Sequence, residues 1–288
     1  MNPRTFHRTA AVALAAATAL GSAAGAETRA TGTFRMGETR ASFAHGCAYR
    51  VWADEPGAQR TMVILADRAI DCAAGETSLD PESGVTDPVR EADGAYVRLF
   101  VGTDGSDQGL YFYNTEPLES FSTSGNGELK VGGDAARSTG TMKTTSPQEF
   151  FDETFEYDLS WSLEVSDGPV RGSALAAGGG EAGAALVAYA KAMKADDRKA
   201  LKGLMTAERS QETFSDEEGS WFAEMWKMRR EWELAEATVE GGTLDGDRAT
   251  LRITGRNGAG EKVQGLVRMV REGGTWRYQS DKLTTVWE

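Results

Sequence analysis

Residues 155–166 read FEYDLSWSLEVS, and their strict alternation decides the character of the first half of the chain. Phe155, Tyr157, Leu159, Trp161, Leu163 and Val165 share one face of an extended strand, and Glu156, Asp158, Ser160, Ser162, Glu164 and Ser166 share the other. One face packs and the other meets water. Shorter runs of the same kind at 49–52, 62–66, 96–101, 110–113 and 128–131 are separated by Asp-Gly, Gly-Asn-Gly and Gly-Gly breaks. Together they predict a mainly-β sandwich or barrel over residues 27–171. The stretch from Ala73 to Asp93, rich in Pro, Gly, Ser and acid, reads as a long surface loop. Residues 172–183, GSALAAGGGEAG, have little to bury and read as a Gly/Ala-rich flexible linker.

From residue 184 the pattern changes. Ala184, Val187, Tyr189, Ala190 and Met193 predict a helix, Asp196 or Asp197 caps a second through Leu201 and Leu204, and Asp216 caps a third running through Trp221 to Ala235. Trp221, Phe222, Met225, Trp226, Met228 and Trp232 give that third helix a broad apolar face. Four strands follow, at 237–241, 248–255, 262–271 and 275–287, with Asp245-Gly246, Asn257-Gly258 and Gly273-Gly274 as hairpin dipeptides between them. Helices followed by an antiparallel meander make an α+β domain over 184–288.

The phrases VAYAKAMKADDRKALKGLM, LDGDRATLRITG, EKVQGLVRMVREGG and TWRYQ resemble the nuclear-transport-factor-2-like, or cystatin-like, superfamily over about residues 182–288. The resemblance implies a curved sheet wrapped around helices to form a cone whose mouth holds a small molecule. Enzymes of that kind usually place Asp, His or Tyr inside the cone, and this segment contains no histidine. Residues 27–171 are similar in style to secreted bacterial β-domains, with no defined family.

The first 26 residues have the layout of a secretory signal peptide. Arg4, His7 and Arg8 precede an apolar run from Ala10 to Leu20, and Ala24, Gly25 and Ala26 form an A-x-A-like cleavage site. Cleavage near Ala26 is expected, with a periplasmic or secreted product. No later segment approaches eighteen consecutive apolar residues, so no transmembrane segment is expected in the mature chain. Residues 27–288 carry 44 Asp and Glu against 29 Lys and Arg, a net of −15, which argues against nucleic acid as a partner. The acidity is uneven: 25 acids and 12 bases over 27–180, 19 and 17 over 181–288. In an oxidising compartment the only two cysteines, Cys47 and Cys72, are expected to form a structural disulfide.

Few residues suggest catalysis. Only His45 remains after the leader, the G-x-S-x-G elbow is absent, and no set of metal ligands or cofactor motif is recognised. No catalytic residue, metal site or cofactor is assigned. The strongest lead is aromatic: Trp221, Phe222, Trp226, Trp276 and Tyr278 are candidates to line a pocket in the cone, with Arg252 and Arg268 meeting a polar ligand group. The competing reading is that these aromatics simply fill the core. The leading expectation is an exported, non-enzymatic protein that binds a small molecule or an envelope protein. The alternatives are a hydrolase or isomerase using carboxylate and tyrosine chemistry in the cone, and an assembly protein whose strand edges pair with a partner.

Overall fold

The computed structural model describes residues 28–102, 104–125, 127–168 and 171–287; the expected signal peptide lies outside them. In chain order the elements are β1 (Arg29–Met36), β2 (Thr39–Phe43), β3 (His45–Trp52), β4 (Gln59–Ala66), α1 (Cys72–Thr77), α2 (Pro81–Glu91), β5 (Ala95–Val101), β6 (Asp107–Asn114), β7 (Glu119–Thr123), β8 (Glu128–Gly133), β9 (Arg137–Lys143), β10 (Gln148–Phe150) and β11 (Glu153–Ser166). The second half adds β12 (Ser173–Leu175), α3 (Gly180–Lys194), α4 (Arg198–Leu204), α5 (Ala207–Phe214), α6 (Phe222–Trp232), β13 (Leu234–Asp245), β14 (Arg248–Asn257), β15 (Lys262–Glu272) and β16 (Thr275–Thr285).

The alternating stretch is the spine of the first sheet. β11 pairs with β1 along one edge, from Arg29↔Ser162 to Met36↔Phe155, and with β9 along the other, from Lys143↔Asp158 to Arg137↔Glu164. Its end runs parallel to β3, and the sheet continues β3-β4-β5-β6-β7. Phe155, Tyr157, Leu159, Trp161 and Leu163 are buried, as the period-two pattern requires. The sheet curls over this face: Phe34 of β1 stacks on Phe112 of β6 with ring centroids 3.8 Å apart. Glycine is required at residue 140, where a Cβ would lie 2.3 Å from the Trp161 ring. The Trp161 indole N–H donates to Ser138 Oγ at 3.0 Å, so its one polar atom is satisfied in the core.

The expected loop at 73–93 is instead two helices. Asp71 caps α1 by accepting the Ala73 N–H, and Pro81 opens α2 at a position where no intrahelical donor is needed. Val85 and Val89 are buried against the back of β3, β4 and β5, so the run MVILA in β4 is covered on both sides. Composition suggested a loop because these helices are short and polar on their outer side. The expected disulfide is present: Cys47 of β3 joins Cys72 at the start of α1, with Cα atoms 5.6 Å apart. The Tyr49 hydroxyl donates to the Cys72 carbonyl at 2.7 Å.

The second sheet has the order β12-β13-β14-β15-β16 and is antiparallel throughout. Gly273 and Gly274 both have positive φ, 58° and 81°, as the β15–β16 hairpin demands. Leu186, Tyr189, Met193 and Leu201 from the helices pack on Leu251, Ile253, Val267 and Met269 from the sheet. The stretch expected to be a flexible linker is ordered: Ser173–Leu175 pairs with β13, and α3 starts at Gly180. Its glycines serve geometry, because Gly178 and Gly179 have positive φ and a Cβ on Gly183 would lie 1.9 Å from the Gly178 carbonyl oxygen. Asp197 caps α4 through the Ala200 N–H at 3.0 Å. The third expected helix is shorter than its pattern, since α6 opens at Phe222 without Asp216 as its cap and Ala235 already belongs to β13.

The two sheets meet at the 53–57 turn. Gln264 of β15, buried, donates to the Ala53 and Glu55 carbonyls at 2.9 and 2.8 Å and accepts the Gly57 N–H at 2.8 Å.

A loop of this length makes the disulfide worth roughly 3 to 4 kcal/mol in the chain-entropy description. Replacing both cysteines, Cys47→Ser with Cys72→Ser, should lower unfolding free energy by about that amount in a denaturant titration. An unchanged midpoint would show that the bond does not form or does not constrain the unfolded chain.

Candidate functional site

The helices of the second half lie on one face of its sheet, and the middle of that layer is filled. Tyr189 of α3 stacks on Tyr278 of β16 with centroids 4.0 Å apart and planes 6° from parallel. Open space remains beside α6, where a cavity of about 600 Å³ is bounded by Phe222, Trp226, Met228, Trp232, Glu233 and Asp281. Met225, Met228 and Trp232 keep roughly half or more of their surface exposed at its rim.

Two carboxylates form the polar end of this cavity. Glu233 follows the last turn of α6, and its extended backbone turns the chain into β13. Its Oε1 accepts from Arg229 Nε at 2.9 Å and lies 3.6 Å from Arg209, while its Oε2 accepts from the Tyr189 hydroxyl at 2.8 Å. Glu233 is thus fully engaged by its neighbours. Asp281 is different. It arrives on this face because β16 carries a bulge: Arg268 pairs with Ser280 and Met269 with Tyr278, leaving Gln279 as the extra residue. The bulge re-phases the strand, so Asp281 lies opposite Val267, which is buried in the core, and Leu283 packs against the same core.

Burial, together with the negative charge of Glu233, raises the Asp281 carboxyl from its ordinary 3.8 to about 6; the Tyr278 hydroxyl and the guanidinium groups of Arg209 and Arg229 oppose the shift. The Tyr189 and Tyr278 phenols are pushed well above their ordinary range, chiefly by burial. Both remain neutral hydrogen-bonding groups at physiological pH. Asp281 is therefore the group here that exchanges a proton near neutrality, donating a hydrogen bond below pH 6 and acting as an anion above it.

The residues singled out in the sequence are not brought together by the structure. Phe222 and Trp226 line the cavity, stacked 6.0 Å apart, with the Trp226 indole N–H donating to Asp196 at 2.8 Å. Trp276 and Tyr278 are buried in the core, the packing reading of their pattern. Trp221 is 72% exposed and touches neither. Arg252 and Arg268 do not face the helices, for a simple reason: Leu251, Ile253, Val267 and Met269 occupy the inward positions, so the alternation sends both arginines outward. Arg268 donates to the Thr77 carbonyl at 2.9 Å, and Arg252 faces a separate cleft between the sheets. His45 is exposed at the start of β3.

Asp281, Glu233, Tyr189 and Arg209 were not foreseen as partners. Straight alternation from Trp276 and Tyr278 points Ser280 inward and Asp281 outward, and nothing local announces a bulge at Gln279.

Because the folded state holds the Asp281 proton more tightly than the unfolded chain, its contribution to stability is complete below pH 3.8 and is lost as pH rises through about 6. Asp281→Asn should therefore stabilise the protein at pH 7.5, by on the order of 1 to 2 kcal/mol once solvent screening of a half-buried group is allowed for. The gain should vanish near pH 4, and melting curves at the two pH values measure the difference. No family model, curated protein or solved structure matches the chain, so the reading of this site rests on its geometry.

Proposed function

We propose that the chain is an exported, two-domain protein of the bacterial envelope that binds a small amine with an apolar body in the cavity beside α6. The observation that carries this reading is Asp281, a half-buried carboxylate that has no ion pair among the described residues, the nearby Arg209 and Arg229 being paired with Glu233, at the polar end of a cavity walled by Phe222, Trp226 and Trp232. A cation placed against Asp281 relieves the repulsion from Glu233, and aromatic faces are favourable walls for a cation. The volume of about 600 Å³ is in the range of small-molecule sites.

Export is supported by the leader-like first 26 residues and by the Cys47–Cys72 disulfide. No helix among the described residues is long and apolar enough to cross a membrane. The division into a β-rich domain over 27–171 and a cone-like α+β domain over 184–288 is supported by their hydrophobic clusters, which share no residues.

Calorimetric titration with phenethylamine tests the reading. With Asp281 about one-tenth ionised at pH 5 and nearly fully ionised at pH 7.5, affinity should rise about tenfold between them. Asp281→Asn should remove both the pH dependence and most of the affinity. Equal binding of the corresponding neutral alcohol would defeat the proposal.

A second reading, acid–base catalysis by Asp281, is favoured by the same carboxyl titrating near 6, the range in which a general acid or base is most effective. It requires turnover of a small activated ester or ketone with an inflection near pH 6 that disappears in Asp281→Asn.

A further inference from the structure

A larger cavity, about 910 Å³, lies between the two sheets on the side away from Asp281. One wall is the outer face of β4 and β5, with Arg60, Arg98 and Phe100. The opposite wall is the outward row Arg252, Leu266 and Lys282, which are register partners across β14, β15 and β16. Cross-strand pairing holds this row in line, and the Gln264 hydrogen bonds, two residues along β15 from Leu266, hold it against the first sheet.

The charges in this cleft do not balance. Arg50, Arg60, Arg98, Arg252 and Lys282 face three carboxylates, Asp80, Glu82 and Asp167. Each of the three is already held: Asp167 by Arg50 at 3.0 Å, Glu82 by Arg98 at 2.7 Å and Asp80 by Lys282 at 2.7 Å, and Arg60 has its own partner in Asp54 at 3.7 Å, so the surplus rests on Arg252. Arg252 has no carboxylate within ion-pairing distance among the described residues, and its cross-strand partners are Gly241 and Leu266. Across from it, two guanidinium groups share one aromatic ring: Arg60 Cζ lies 3.9 Å and Arg98 Cζ 4.5 Å from the Phe100 centroid. Burial and the charge of Arg98 both weaken the hold of Arg60 on its proton, with Asp54 opposing. A chain with a net charge of −13 thus gathers an excess of positive charge around a cleft that also presents Trp52, Leu79 and Leu266.

We propose that this cleft is a second binding site, for an organic anion whose carboxylate, sulfonate or phosphate group is met by Arg252 and the Arg60 and Arg98 guanidinium groups that Phe100 holds, and whose flat apolar body packs on Leu266 against the edge of Phe100. Guanidinium groups supply paired donors to an oxyanion, and Phe100 and Leu266 exclude water from the remainder. The site is independent of Asp281, which lies on the other face of the second sheet.

The test is calorimetric titration of the full chain with 1-naphthyl phosphate at low ionic strength, beside inorganic phosphate and neutral 1-naphthol. The aryl phosphate should bind saturably with one ligand per chain, and both comparison compounds should bind at least about tenfold more weakly. Arg252→Glu, at an exposed position where folding is not at stake, should weaken the aryl phosphate about tenfold or more. Phe100→Leu should weaken it severalfold, and Asp281→Asn should leave it unchanged. Absence of saturable binding, equal affinity in Arg252→Glu, or inorganic phosphate binding as tightly as the aryl ester would overturn the proposal. Loss of amine binding with retention of aryl phosphate binding would count against the Asp281 reading alone.

Discussion

The relation between the two halves of this protein depends on one buried amide. Gln264 spends its side chain entirely on the 53–57 turn, donating twice and accepting once across the boundary between the sheets. A buried amide without partners costs about 1 to 3 kcal/mol, far more than each hydrogen bond gains on balance. The turn must therefore stay where Gln264 can be satisfied. Lys282 to Asp80, Arg268 to the Thr77 carbonyl and the Trp287 N–H to the Asp54 carbonyl extend the same boundary. The cleft between the sheets owes its width to these contacts, because its walls come from strands that do not pair with one another.

The second half shows how one sheet can serve two environments. Its inner face is apolar under the helices, and the Tyr189–Tyr278 stack closes the middle of that layer. The bulge at Gln279 then turns Asp281 to the inner side and leaves Lys282 on the outer side. A single extra residue thus places an acid in one cavity and a base in the other. Without it, strict alternation would exchange them, and an ammonium group would be directed toward Arg209 and Arg229.

Much of the fold was legible where period alone decides. The alternation from Phe155 to Val165, the hairpin glycines at 273 and 274 and the Asp197 cap all act within a few residues of themselves, and each forms as read. Reading failed where composition stood in for contact. Residues 73–93 are polar and proline-containing, yet Val85 and Val89 are enough to seat α2 once the disulfide holds α1 against β3. The glycines of 172–183 suggested freedom but supply positive φ and close approach in an ordered crossing.

The candidate site was legible only in part. Phe222 and Trp226 were found because large aromatics on a helix must go somewhere apolar, whereas Arg252 and Arg268, expected to meet a ligand beside them, lie on the outward face of their strands. By itself the sequence determined the alternating strands, the acidic balance and the availability of a cysteine pair, since these follow from local periodicity, charge and residue count. Only the tertiary structure decided which carboxylate would be held near pH 6 and which cations would share a cleft. Those properties arise from a bulge, from burial and from pairs such as Glu233 with Tyr189 or Arg60 with Phe100, groups that lie about forty residues apart in the chain.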